Sequence, residues 1–311
     1  MKRRQLLKSS LASGLFPILL AESTPVALHA SSSEPIEIGL LADIQYADIQ
    51  SKGTRFYRES IAKLQEAIDH FNSLPLRFCA NLGDLIDMHW ASFDTISKPL
   101  EHLKHSVYHV LGNHDFDVED KYKDQVPARI GMKSPYYEVS LDHWKFLFLD
   151  TTDLSLYAQP KESPKYSVAE KLLNESKAKG EKWAQSWNGA IGNSQLDWIN
   201  AECESATAQG ARVLIFSHHP IFPDNEHNLW NSSRLLEIVG KQSCVAAWIN
   251  GHNHAGNLGE QVGVPFVTLK GMVETKSTNA FSTLRLFKDR IQIVGHGREP
   301  SREFAIRKNQ G

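Results

Sequence analysis

Short runs of apolar residues recur along the chain, and many of them end at glycine, aspartate, asparagine or histidine. A short apolar run with such boundaries is typical of a buried β-strand. The segments that predict strands are 36–42, 77–82, 107–111, 136–140, 144–149, 212–216, 245–249, 264–269, 282–287 and 290–294. The fourth and fifth of these segments lie close enough together to form a hairpin.

Other segments place apolar side chains on one face of a helix. From Arg55 to Phe71, apolar residues recur every three or four positions, which predicts a helix. Further helices are predicted from about 90 to 104, from 193 to about 209, and between the strands 212–216 and 245–249. In the second of these, Asn193 is expected to cap the start of the helix, and Gly210 is expected to end it.

The order of these elements indicates the fold class. Strands alternate with helices in the first part of the chain and cluster towards its end. This order favours an α/β (α+β) protein with a mixed sheet core and helices outside it. No linker or internal repeat is evident, so residues 31–311 are expected to form one domain. The polar segment 151–192 is expected to be an insertion that covers a substrate.

The first thirty residues have the composition of an export signal. Basic residues, with Arg3 and Arg4 among them, precede the apolar stretch 11–21 and a small-residue site. The arginine pair resembles the twin-arginine signal of bacterial export. The apolar stretch is short for a bilayer core of ~30 Å, and Pro17 interrupts it, so no stable membrane anchor is expected. We therefore expect residues 1–30 to be cleaved and the mature protein to be periplasmic.

Composition excludes several classes of protein. The chain has 34 basic and 36 acidic residues, a balance that gives no electrostatic attraction for nucleic acid. Cys79, Cys203 and Cys244 are odd in number and widely spaced. They predict neither a disulfide framework nor a cysteine metal site, and we expect them to be small buried side chains. The sequence gives no indication of oligomeric state.

Polar motifs follow five of the predicted strands at the point where each strand ends. They are DIQ at 43–45, GDLID at 83–87, GNHD at 112–115, SHHP at 217–220 and NGHNH at 250–254. Taken alone, D-x-Q and G-D-x-x-D are more often surface turns, and His218 with His219 could be a loop histidine pair, whereas G-H-N-H after a buried strand favours a site. In open α/β sheets, however, sites are built at the carboxyl ends of strands. Five motifs in this position therefore favour a site.

The residue types in these motifs predict a centre with two metal ions. Asp84 can bridge two cations, since its carboxylate has two oxygens to share. Asp43 and Gln45 can hold one cation from a single turn, and Asn113 can offer an amide oxygen to the other. The imidazoles come from His218, His252 and His254. Oxygen and nitrogen ligands without thiolate suit manganese, iron or zinc better than calcium.

The order D-x-Q, G-D-x-x-D, G-N-H-D, H-x-P, G-H-x-H resembles the calcineurin-like metallophosphoesterase superfamily, from about residue 36 to 287. The resemblance implies a four-layer sandwich, in which helices flank two mixed β-sheets. It implies that one metal is held by Asp43, Gln45, Asp84 and His254. It implies that the second metal is held by Asp84, Asn113, His218 and His252.

The resemblance also implies a role for His114, the residue after Asn113. Its imidazole would protonate or stabilise the oxygen that leaves phosphorus. The alternatives are a further metal ligand or a structural loop histidine. Asp115, Asp87 or another carboxylate could orient the ring, and the sequence leaves that choice open.

Gln45 departs from the usual D-x-H of the superfamily. The stretches DIQYAD at 43–48, GTRFYR at 53–58 and WNGAIG at 187–192 resemble the manganese-dependent ADP-ribose/CDP-alcohol diphosphatases, which also use glutamine at this position. That resemblance implies manganese as the metal and a small nucleotide diphosphate as the substrate. Asp87 replaces the tyrosine that purple acid phosphatases carry there, so an iron–phenolate centre is not expected.

Substrate contacts are less well determined by the sequence. Arg55 and Arg58 are candidates for binding phosphate, and an exposed helix start explains them equally well. Trp187 and Tyr157 are candidates for stacking on a base, and core packing is the alternative. Two other functions stay open: hydrolysis of simple phosphomonoesters or other phosphodiesters, and a noncatalytic metal-bound scaffold. The complete ligand set together with His114 favours an enzyme.

Overall fold

The computed structural model describes residues 34–307, and the expected signal at 1–30 lies outside them. Strands and helices are numbered along the chain. The first of two six-stranded sheets has the order β12-β11-β10-β1-β2-β3. Its strands are β1 (Ile36–Leu41), β2 (Phe78–Asn81), β3 (Val107–His109), β10 (Ala280–Leu286), β11 (Arg290–Gly297) and β12 (Arg302–Ala305). Within it, β1, β2 and β3 are parallel, and the other pairings are antiparallel.

The second sheet has the order β4-β5-β6-β7-β9-β8. Its strands are β4 (Tyr137–Leu141), β5 (Trp144–Phe148), β6 (Arg212–Ser217), β7 (Val245–Asn250), β8 (Asn257–Gln261) and β9 (Val264–Thr268). The four strands β5, β6, β7 and β9 are parallel, and β4 and β8 pair antiparallel at the two edges. The predicted β4–β5 hairpin is therefore confirmed. Strands β8 and β12 were not predicted from the sequence.

The described residues contain six α-helices, most of them in the connections between parallel strands. They are α1 (Ser60–Asn72), α2 (Ser92–Leu100), α3 (Val126–Arg129), α4 (Pro164–Ala178), α5 (Asn193–Ala208) and α6 (Ser232–Lys241), with short 3-10 helices at His114–Phe116 and Asp120–Gln125. The prediction that Asn193 caps α5 is wrong. Gly192 takes the cap position, and the Asn193 side chain accepts a hydrogen bond from Arg234 instead.

Helix α1 also begins later than predicted, at Ser60 and not at Arg55. The chain before it is held in extended contacts that compete with a helix. The Phe56 backbone N–H donates to the carbonyl of Val273 at 2.9 Å, and Arg55 forms an isolated bridge with Glu274. These bonds place Arg55 beside the strand ends described below.

The two sheets pack against each other through one apolar core. Phe78 of the first sheet meets Phe146 of the second edge to face, with ring centroids 5.1 Å apart. On the outer faces, α1 and α2 pack on the first sheet, and α5 and α6 pack on the second. The layers therefore run helix, sheet, sheet, helix, which confirms the four-layer sandwich. All three cysteines are buried and free.

No helix within residues 34–307 has the length and apolar character needed to span a bilayer.

Candidate metal centre

The strand ends of both sheets bring the seven predicted metal ligands together. They are Asp43 and Gln45 after β1, Asp84 after β2, Asn113 after β3, His218 after β6, and His252 and His254 after β7. Because parallel strands end at the same edge of a sheet, loops that are far apart in sequence meet there. The structure therefore gathers all seven side chains, as the strand-end pattern predicted.

Asp84 lies in the middle of this cluster, and its carboxylate is 1% exposed. Its Oδ2 is 2.9 Å from Gln45 Nε2 and 3.3 Å from His218 Nε2. Its Oδ1 accepts a hydrogen bond of 2.8 Å from the backbone N–H of His114. Ligand atoms of Asp43, Asp84 and His218 all lie within 4.8 Å of one another. One carboxylate thus faces two groups of donors.

The first group lies around Gln45. His254 Nε2 is 3.5 Å from Asp43 Oδ1 and 3.1 Å from Gln45 Nε2. The other amide atom, Gln45 Oε1, is buried and has no hydrogen-bond partner. A buried acceptor without a partner lowers the free energy of unfolding by about 1–3 kcal/mol, so a bound ligand that satisfies it is expected. A divalent cation held by Asp43, Asp84, His254 and Gln45, with the Gln45 amide turned so that Oε1 takes the place of Nε2, would be such a ligand.

The second group lies around His218. Its Nε2 is 3.1 Å from Asn113 Oδ1 and 3.2 Å from His252 Nδ1. Its Nδ1 bonds the carbonyl of Leu82 at 2.8 Å, which fixes the ring and leaves Nε2 towards the cluster. Carboxylate, amide oxygen and imidazole converge here without any thiolate. The residues present therefore fit a second cation that shares Asp84 with the first.

The backbone of four of the predicted ligands is in the left-handed region. Asp43, Gln45, Asp84 and His252 have φ angles of 52°, 45°, 54° and 69°. That conformation costs a non-glycine residue about 1–2 kcal/mol, and such residues cluster at functional sites. Here the Gln45 N–H donates to the Asp84 carbonyl at 2.8 Å, and the His252 N–H donates to Asp43 Oδ1 at 3.0 Å. The loops therefore hold one another in this strained arrangement.

Gly112 is required for the close approach of two of these loops. A Cβ atom at this position would lie 2.1 Å from Asp84 Oδ1 and 2.4 Å from the Asp84 backbone nitrogen. Neither can move away, because Asp84 is fixed by its neighbours. The glycine in G-N-H-D thus lets Asn113 and His114 reach the shared carboxylate.

The carboxylates of the site raise the pKa of two of its histidines. Burial lowers the pKa of His218, but Asp84 more than offsets this and raises it to about 9. Burial likewise opposes a charged His254, yet Asp43 and Glu274 raise its pKa to about 9. Cations therefore compete with protons for these nitrogens, and metal binding should weaken as the pH falls below about 9.

Of the two carboxylates near His114, Asp87 faces its ring. His114 Nδ1 is 3.2 Å from Asp87 Oδ1 and 3.2 Å from the Asp87 carbonyl oxygen. Asp115 instead accepts hydrogen bonds from the backbone N–H groups of Asp84, Leu85, Ile86 and Gly112. Asp115 thus ties two ligand loops together, and Asp87 is the residue placed to orient His114.

The two arginines predicted to bind substrate differ in their position relative to the site. Arg55 lies at the site, with its Nη1 3.4 Å from His114 Nε2 and 3.9 Å from Asp87 Oδ1. Arg58 forms an exposed ion pair with Asp48 at 2.6 Å, so its charge is already matched there. The prediction that Arg58 contacts phosphate has no support in this geometry.

The two aromatic candidates also differ. Tyr157 is partly buried, packs against Phe116, and places its hydroxyl 3.5 Å from His219 Nε2. Trp187 is 41% exposed, and only its carbonyl contacts His219, at 3.3 Å. Packing therefore explains Tyr157, while the Trp187 ring is open to contact.

The family model for calcineurin-like phosphoesterases matches residues 36–256 of this chain. The chain belongs to the calcineurin-like phosphoesterase family. It is therefore a metal-dependent hydrolase, and the G-N-H-D and G-H-N-H loops above are its family motifs.

Relatives from several organisms match nearly the whole chain. The manganese-dependent ADP-ribose/CDP-alcohol diphosphatase of Bos taurus is 31% identical, over 90% of this chain and 97% of the relative. The protein with the same name in Homo sapiens is also 31% identical, over 92% of this chain and 97% of its own length. The crystal structure of a dimetal phosphatase from Danio rerio superposes with a TM-score of 0.80 at 27% identity, covering 88% of this chain and 100% of that one.

Two residues of this phosphoesterase site escaped the sequence analysis. Asn188 Oδ1 is 2.9 Å from His252 Nε2, and Glu274 Oε1 is 2.8 Å from His254 Nδ1. Partners of this kind orient metal-binding imidazoles and raise their basicity. Asn188 lies in the W-N-G-A-I-G segment, which in the sequence indicates a resemblance to the diphosphatases but no contact with a metal ligand. Nothing in the sequence around Glu274 points to the site.

The geometry separates the roles expected of Asp84 and His114. Asp84→Ala should lose metal and activity together, because it removes the carboxylate that both donor groups share. His114→Ala should keep its metal content and lose ~10²–10⁴-fold in kcat on substrates with poor leaving groups, the usual range for loss of a general acid. Metal content by mass spectrometry and turnover should be measured on the same preparations.

The matched control for this experiment is Asp48→Ala, because Asp48 is an exposed carboxylate paired with Arg58. It should retain both metal and activity. Metal loss in His114→Ala would instead make His114 a ligand or a structural residue.

Proposed function

We propose that this phosphoesterase hydrolyses the diphosphate linkage of ADP-ribose or of a CDP-alcohol, with manganese, to two phosphomonoesters. The observation that carries the proposal is Gln45, an amide where the family usually has an imidazole: its Nε2 contacts Asp84 Oδ2, and its Oε1 is buried without a partner. An amide oxygen is a harder ligand than imidazole and favours manganese over softer metals. The relatives that match nearly the whole chain are named manganese-dependent ADP-ribose/CDP-alcohol diphosphatase.

In this proposal, the seven side chains gathered at the strand ends would hold two divalent cations. When bound, such cations polarise the phosphoryl oxygens and make hydroxide available near neutral pH. Asp84 would lie between them, and its ionised form suits that position. Burial opposes the charge on Asp84, but His218 and His114 hold its pKa well below the usual range.

His114 and Arg55 would act on the leaving group. Asp87 takes the Nδ1 side of the His114 ring, which leaves Nε2 to face the substrate next to Arg55. When a diphosphate is cleaved, the leaving group is a phosphomonoester that gains negative charge. A guanidinium and an imidazole N–H aimed at that oxygen would stabilise it. The guanidinium of Arg55 beside His114 suits a leaving group that carries negative charge, as a phosphomonoester does.

The segment 151–192 would cover the substrate within a single domain of residues 31–311. Asn188 ties this segment to His252, so its position is linked to the metal ligands. Trp187 precedes Asn188 and has a partly exposed ring, which makes it the candidate for stacking on the nucleobase. Such a contact would favour a nucleotide over a small phosphate ester.

The substrate class can be tested with purified mature protein and Mn²⁺. ADP-ribose, CDP-choline, AMP and a cyclic nucleotide are each assayed at several concentrations, and the products are identified by chromatography. We expect the best diphosphate to exceed AMP at least about tenfold in kcat/KM, or ~1.4 kcal/mol of differential transition-state binding. If AMP or the cyclic nucleotide proves the best substrate, the protein is not a diphosphatase, although it can still hold two metals.

We also propose that residues 1–30 direct the folded chain across a bacterial inner membrane. The support is the arginine pair at the start of the sequence, in a segment outside the described residues. Export of a folded chain would allow metals to be loaded before transport.

Cell fractionation tests the export proposal. Replacing Arg3 and Arg4 with lysine keeps the charge and removes the pair, so the protein should stay in the cytoplasm. Lys2→Arg is the control, because it leaves the pair intact. An unchanged periplasmic fraction in the double variant would show that the twin-arginine assignment is wrong.

A further inference from the structure

Lys63 lies on the buried face of α1, where apolar side chains are expected. The residue is 3% exposed, and its neighbours on that face, Leu64, Ala67 and Ile68, pack in the core. Burying an ammonium group is costly unless hydrogen bonds compensate it. Burial lowers the pKa of Lys63 to about 8, so most molecules still carry the charge at neutral pH. Such a charge is retained in a core only where it makes specific contacts.

The ammonium donates hydrogen bonds to one loop, residues 271–275, which follows β9. Lys63 Nζ donates to the carbonyl of Met272, to that of Thr275 at 3.1 Å and to that of Glu274 at 3.4 Å. An ammonium group has three N–H donors, so each of them has an acceptor on this loop. The carbonyl side of the loop is therefore held by a cation that comes from α1.

The N–H side of the same loop faces two of the predicted metal ligands. The Val273 N–H donates to the carbonyl of Asp43 at 2.9 Å, and the Gly271 N–H donates to the carbonyl of His254 at 3.2 Å. The loop thus lies between the Lys63 ammonium and the backbone of these ligands. A change in how Lys63 holds the loop would be passed on to both of them.

The loop also carries the carboxylate that orients the His254 ring. Glu274 Oε1 is 2.8 Å from His254 Nδ1, and Lys63 binds the backbone carbonyl of the same glutamate. The loop packs directly on the ring, since a Cβ atom at Gly271 would lie 2.8 Å from His254 Cγ. Partners of this kind orient a metal-binding imidazole, and their loss usually weakens metal binding about 10–100-fold.

We infer that Lys63 is a positioning residue for the cation that His254 binds, and that it acts through loop 271–275 and Glu274. The inference rests on the proposed function, in which His254 is a metal ligand, and it adds a residue of α1 that holds the loop behind that ligand. With Glu274 fixed at Nδ1, the Nε2 atom of His254 stays turned towards Asp43 Oδ1, 3.5 Å away.

The second group of ligands takes its orientation from other parts of the chain. His218 Nδ1 bonds the carbonyl of Leu82 at 2.8 Å, and His252 Nε2 is 2.9 Å from Asn188 Oδ1. The effect of Lys63 should therefore be confined to one of the two cations.

Calorimetric titration of the metal-free chain with Mn²⁺ tests this inference, because it measures binding without turnover. Lys63→Met keeps the length and the apolar stem of the side chain and removes its three donors. We expect it to weaken one of two Mn²⁺ sites about tenfold, at the lower end of the range for partners of metal ligands, and to leave the other unchanged.

Glu274→Ala identifies the affected site, because it removes the direct partner of His254. It should weaken the same Mn²⁺ site as Lys63→Met. The losses in the double variant should be less than additive, since Lys63 acts through the loop that carries Glu274. Thermal unfolding without metal checks that each variant is folded. If Lys63→Met does not fold, Lys63→Gln, which keeps two N–H donors, should show a smaller loss at that site.

The matched control is Lys171→Met on α4, whose side chain is 77% exposed and should leave both sites unchanged. Unchanged Mn²⁺ affinities in the folded Lys63 variant would overturn the inference, and so would an equal weakening of both sites. Additive losses in the double variant would also contradict it. A wild-type chain that binds only one Mn²⁺ would instead overturn the two-cation site of the proposed function.

Discussion

The buried carboxylate of Asp84 is the feature on which the rest of the site depends. An unpaired charge in a protein interior costs several kcal/mol, so it is kept only where opposite charge or hydrogen bonds compensate it. Here the compensation comes from His218, from the Gln45 amide, and from the backbone N–H of His114. Two divalent cations on either side would match the same charge more fully. The loops around Asp84 are arranged to make that possible.

This constraint explains features that would otherwise look unrelated. Four of the predicted ligands adopt left-handed backbone conformations, because the loops must turn sharply to aim their side chains at one carboxylate. Position 112 requires glycine, because a Cβ atom there would collide with the Asp84 carboxylate. The Asp115 carboxylate accepts hydrogen bonds from four backbone N–H groups and so holds the loops after β2 and β3 together. The sandwich in turn supplies the strands whose ends lie at this edge.

Much of this could be predicted from the sequence, since the central strands are apolar and their ends carry motifs. The two strands that were missed, β8 and β12, lie at sheet edges and alternate between partly buried and exposed residues, so their sequences lack an apolar run. Asn188 and Glu274 were missed for another reason. Asn188 lies 64 residues from the histidine that it orients, and such a contact exists only after folding. Arg55 and Arg58 look alike in sequence, yet only the fold brings Arg55 to His114 and leaves Arg58 with Asp48.

We propose that Gln45 is a metal ligand in a two-cation site built around Asp84. Anomalous diffraction from crystals grown with Mn²⁺, collected on both sides of the manganese absorption edge, tests it directly. We expect two anomalous peaks, one on each side of the Asp84 carboxylate, with Gln45 Oε1 coordinating one of them. A single peak, or two peaks with the Gln45 amide turned away from both, would contradict it.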